Sequence, residues 1–79
     1  MIVSTSTGLK QLREELSPKV SQERLARQAD ITLATYRSAE AGNKCKYSTA
    51  KKILDALNSQ RQARQKPPIT IDDLGLSLE

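Results

Sequence analysis

Two helix-start signals, Ser21 and Thr32, stand so close together that the helix between them has room for only about two turns. No other feature limits the fold as sharply. Ser21 is a good cap, and Glu23 follows in the first turn, where a carboxylate suits the helix dipole. Leu25, Ala26 and Ala29 then share a face, and the segment ends near Ala29-Asp30. Thr32 restarts a helix that can run from Leu33 to Ala41, where Gly42-Asn43 supplies a left-handed stop.

The flanking segments are helical as well. A first helix is predicted to begin after Ser6 or Thr7, with Leu9, Leu12 and Leu16 on one face. Ser17-Pro18 stops it, because a residue before proline is pushed out of the α region. Ser48 is the predicted cap of a fourth helix, Lys51–Leu57. There Ala50, Ile53, Leu54 and Leu57 repeat at helical spacing. The polar insertion at about 59–68 contains good helix formers without an apolar stripe, so it extends that helix into solvent or forms a loop. Pro67-Pro68 ends it in either case. Thr70 can cap a last short helix through Leu74, with Gly75 as its breaker. No strand pattern is visible. The expected fold is therefore all-α, one compact domain of four to five helices over 1–79.

Composition narrows the function. The chain has 79 residues, no Trp or Phe, and two Tyr, so Leu, Ile, Val and Ala must build the core. All 13 Lys and Arg lie between Lys10 and Lys66. Six of the nine acids share that stretch, so residues 1–68 carry +7, while Asp72, Asp73 and Glu79 leave 69–79 at −3. A basic body of this kind favours a polyanion, nucleic acid or an anionic surface, unless it is simply solvated. Cys45 is the only cysteine, which excludes an internal disulfide and fits a reducing cytoplasm. No apolar run approaches the roughly 20 residues that span a bilayer, and Met1-Ile2-Val3-Ser4-Thr5 does not read as a signal peptide. No catalytic residue, metal site or cofactor is expected: there is no His and no phosphate-cradling glycine loop. Glu14-Glu15 and Asp72-Asp73 are neighbours that point apart on a helix.

Two short capped helices joined by a tight turn are the pattern of a helix-turn-helix at about 21–42. The residues Leu12-Arg13, then Ser21-Gln22-Glu23-Arg24-Leu25-Ala26, Ile31-Thr32, Glu40-Ala41-Gly42 and finally Ile69-Thr70-Ile71-Asp72-Asp73-Leu74 come in a telling order. In that order the sequence resembles the phage repressor/Cro-like family, also called the xenobiotic-response-element (XRE) type. The resemblance covers about residues 7–58 and 69–76. It implies a lambda-repressor-like domain that binds double-stranded DNA as a transcription regulator, by family habit a repressor. It departs from the pattern at Asp30, where the turn usually carries Gly, in a longer connection before Ser21, and in the 59–66 insertion. The insertion leaves a homodimer as an open expectation. Such a dimer would set two recognition helices about 34 Å apart over a near-palindrome.

The helical wheel and the resemblance together assign roles. Ile31, Tyr36 and Ala39 face the core, while Leu33, Ala34, Arg37, Ser38 and Ala41 share the opposite sector. Arg37 is the candidate base reader, since guanidinium can bond guanine O6 and N7 together; a phosphate contact or a surface ion pair is the other possibility. Leu33 and Ala34 could pack on thymine methyls, or Leu33 could turn inward; Ser38 completes the base-facing set. Gln22 and Thr32 are expected at phosphates, although either could be only a first-turn residue or a cap. Lys44, Lys46 and Tyr47 are expected to follow the phosphate backbone, or to form a solvated basic loop. Arg61, Arg64 and Lys66 could add phosphate contacts or serve solubility. Arg13 and Glu40 match a pair that the family joins. The alternative function is a protein-interaction module on the same fold, an antitoxin or a transcriptional adaptor, with a partner or second copy held by the apolar tail Ile69–Glu79. RNA is disfavoured by the lack of clustered aromatics.

Overall fold

The computed structural model describes residues 8–79. The expected cap at Ser6 or Thr7 lies outside them. Among the described residues there are five helices and no strand: α1 Gly8–Glu14, α2 Gln22–Gln28, α3 Leu33–Glu40, α4 Tyr47–Ala63 and α5 Ile71–Leu74. The expectation of an all-α fold therefore holds.

Local chemistry explains most of the helix ends. Ser21 Oγ accepts the Arg24 N–H at 3.0 Å, and Thr32 Oγ1 accepts the Thr35 N–H at 3.1 Å, so each cap satisfies a donor left over by the first helical turn. Between them Asp30 takes φ 61°, the left-handed conformation that the turn requires. Asp adopts it at lower cost than most residues. The Ile31 N–H then donates to Ala26 O at 3.0 Å, which brings the chain back across the end of α2. Gly42, at φ 96°, turns the chain out of α3.

One expectation needs correction. Ser48 does not cap α4. The helix starts at Tyr47 after an extended Lys46 that makes no side-chain cap bond. The reason is non-local. Cys45 pairs its backbone with the C-terminal tail, donating to Ser77 O and accepting from the Glu79 N–H, both at 2.9 Å. This isolated parallel bridge delivers the chain to α4 already extended. Of the two forms expected for the polar insertion, the structure shows the helical one. It continues α4 to Ala63 instead of forming a loop from residue 59, and the chain turns at Gln65 with φ 59°. Arg61 is buried there, with Nε donating to Pro67 O at 2.9 Å, and Arg64 donates to Pro18 O at 2.7 Å. These two arginines hold loops in place. Their carbonyl partners replace water for the guanidinium donors.

The core is a single cluster that joins Leu9, Leu16, Val20, Leu25, Tyr36, Ala39, Ile53, Leu57 and Leu74 among others. Helix α2 packs on α3 and α4, while α5 packs on α1 and α4. Ala26, nearly inaccessible, is the small residue at the α2 crossing. Leu74 is fully buried, and Ile69, Ile71 and Leu76 pack partly against the cluster. Most of the tail's apolar surface thus closes the chain's own core; Leu78 stays 40% exposed. At the other end, Gly8 lies so close to the Asp73 carbonyl that a Cβ would collide with it.

Candidate nucleic-acid interface

Helix α3 is two-sided. Tyr36, Ala39 and Glu40 are buried, whereas Ala34, Thr35, Arg37 and Ala41 are exposed and Leu33 and Ser38 half-buried. The sequence expected Leu33, Ala34, Arg37 and Ser38 to share the outer sector, and the structure brings them together there, with Leu33 and Ser38 at its margins. At eight residues the helix is about 12 Å long.

The polar residues beside this face are more engaged than expected. Gln22 is half-buried. Its Nε2 donates to Glu40 Oε1 at 2.7 Å, and its Oε1 accepts from Arg37 Nε at 3.3 Å. Thr32, besides capping, donates its hydroxyl to Thr35 Oγ1 at 2.8 Å. That leaves the exposed Thr35 hydroxyl with its own proton to offer outward. Sequence reasoning missed Thr35, because the donor direction depends on its pairing with Thr32. Ser38 Oγ accepts from Asn43 Nδ2 at 3.2 Å, which ties the outer face to the turn after α3.

Arg13 and Glu40 form the expected pair. Nε donates to Oε2 at 2.9 Å and Nη2 to Oε1 at 3.1 Å, while Nη1 reaches Val20 O at 3.2 Å. The side chains keep only 15% and 4% of their exposure. Burial works against the Glu40 charge. The hydrogen bonds from Arg13 and Gln22, the nearby Tyr36 hydroxyl and the Arg13 charge outweigh it, so its carboxyl sits below the usual range. The bond to Glu40, partly opposed by burial, holds the Arg13 guanidinium above its ordinary value. Burial, then Glu40, pushes the Tyr36 phenol up, so it stays neutral.

Beyond α3, Lys44 and Lys46 are exposed on either side of the buried Cys45, and Tyr47 opens α4 at 57% exposure. The backbone bridge at Cys45 fixes this loop, and both ammonium groups extend from it. Burial, with Glu79 adding, raises the Cys45 thiol, which suits an inert core residue. Among the described residues no group of three or more His, Cys, Asp or Glu could hold a metal ion. No described helix is long and apolar enough to cross a membrane.

The chain matches no family model, no curated protein and no solved structure.

Proposed function

We propose that this protein is a sequence-specific double-stranded DNA-binding protein, a transcription regulator of the helix-turn-helix kind, that lays α3 in a major groove. The observation that carries the reading is the division of α3: one side anchored by Tyr36, Ala39 and Glu40, the other free with Ala34 and Arg37 outward. A helix about 10–12 Å across with its side chains fits a groove about 12 Å wide. The basic body, +7 over residues 1–68, supplies attraction to phosphates. Lys44 and Lys46 are exposed in the loop that follows α3, two cations available to phosphates, and the exposed Thr35 hydroxyl adds a polar group near the start of α3. Repression is the habit of the family that the sequence resembles.

The reading is tested by selecting bound duplexes from a random DNA pool. A defined motif is expected. Arg37→Ala should relax preference at one base position, while Lys46→Ala should weaken all sequences alike and reduce the salt slope by about one. A protein that retains no duplex, or a motif indifferent to Arg37, defeats the assignment.

A further inference from the structure

We propose that Gln22 is a positioning residue for Arg37: it occupies the guanidinium's Nε and turns the two terminal amino groups outward to read guanine. The role in reading rests on the DNA-binding function proposed above; the ordering of Arg37 by Gln22 does not.

Gln22 lies between two groups with opposite needs. On its inner side is the Glu40 carboxylate, which when ionised can only accept hydrogen bonds. On its outer side is Arg37 Nε, which can only donate. The amide meets both, with Nε2 toward Glu40 at 2.7 Å and Oε1 toward Arg37 at 3.3 Å. Turned over, it would set oxygen against carboxylate and NH₂ against N–H, and both contacts would repel. Glu40 is itself immobilised, because Arg13 Nε and Nη2 hold its two oxygens at 2.9 and 3.1 Å. A rigid polar chain thus runs from Arg13 on α1 through Glu40 on α3 and Gln22 on α2 to Arg37, back on α3.

Two consequences bear on recognition. With Nε occupied, Arg37 keeps Nη1 and Nη2, a pair of donors suited to guanine O6 and N7. The side chain is also ordered before DNA arrives, so less of its rotamer freedom is lost on binding. The Gln22 oxygen is committed to Arg37 and one Nε2 hydrogen to Glu40, so most of the amide's bonding serves the order of Arg37 and at most one hydrogen remains for a phosphate.

The test compares full-length wild type, Gln22→Met, Arg37→Ala and the double variant in the same duplex selection. Gln22→Met keeps the side chain's length and removes both polar functions. The expected result is a loss of guanine preference of about three- to ten-fold, the scale of one solvent-exposed hydrogen bond, at the position that Arg37→Ala relaxes. The double variant should lose no more there than Arg37→Ala alone. A uniform weakening across all sequences with a shallower salt slope would overturn the proposal and make Gln22 a phosphate contact. A second measurement needs neither DNA nor a variant: nuclear magnetic resonance of the free protein should find the Arg37 Hε exchanging more slowly than that of the exposed Arg24. Equal exchange would overturn the ordering of Arg37. If Arg37 Hε is protected but the wild type binds no duplex, the ordering stands and the DNA-binding reading fails.

Discussion

Replacing Arg13 by Met would strand the Glu40 carboxylate with 4% of its exposure left and both of its Arg13 hydrogen bonds gone. Removing one member of a buried pair costs about 3–5 kcal/mol, because the remaining charge is desolvated without compensation. The low end applies here: Gln22 still donates to Glu40, and Arg13 retains 15% exposure, so water already reaches part of the pair. A loss of about 3 kcal/mol is large against the roughly 4–12 kcal/mol expected for a chain of this length. It should lower the melting temperature by roughly 12–24 °C. Thermal and urea unfolding followed by far-ultraviolet circular dichroism would measure it. Replacing both residues, Arg13→Met with Glu40→Met, should recover most of the loss, since an apolar pair leaves no buried charge. The pH dependence has a definite sign. Glu40 is held below the unfolded carboxylate value of about 4.3, so its contribution is complete above that pH and is lost as pH falls through the folded value. The cost of Arg13→Met should therefore be greatest near neutrality and shrink in acid. A single variant within about 0.5 kcal/mol of wild type, the level of an ordinary surface change, would refute the reasoning. A double variant less stable than the single would do the same.

Three further expectations concern backbone and loops. Gly8→Ala should destabilise the protein although alanine favours helices by about 1 kcal/mol, because the new Cβ meets the Asp73 carbonyl; a higher melting temperature would contradict the close approach of α1 to α5. Asp30→Gly should raise stability by about 0.5–1 kcal/mol by relieving a left-handed residue, and Asp30→Val should lower it; calorimetry that ranks valine above glycine would refute the turn geometry. Arg61→Ala should cost about 1–3 kcal/mol in urea unfolding, since Pro67 O loses its buried donor; a neutral result would mean that the residue is only a surface charge.

Where a helix begins or ends through chemistry within a few residues, the sequence already told the story. Ser21, Thr32, Gly42 and Gly75 bound their helices as expected, and the apolar spacing of α4 named its buried side chains Ala50, Ile53, Leu54 and Leu57. What stayed hidden was chemistry between distant segments. Ser48 had the composition of a cap, but the tail's backbone pairing with Cys45 decided where α4 starts. Arg61 belongs to a run that reads as solvated, and only the position of Pro67 O makes its burial favourable. In the candidate site, the outward place of Arg37 was legible from helical spacing, whereas the Arg13–Glu40 pair was expected only from the family resemblance. The double engagement of Gln22 was not, because a sequence does not reveal which end of an amide faces which neighbour.

The sharpest test of the central claim follows backbone amide resonances of the isotope-labelled protein as a selected duplex is added. The account predicts shifts concentrated at Thr32–Ser38 and at Lys44–Tyr47, with α5 and the tail 75–79 unmoved. Changes confined to α5 and the tail, or none at saturating DNA, would contradict it.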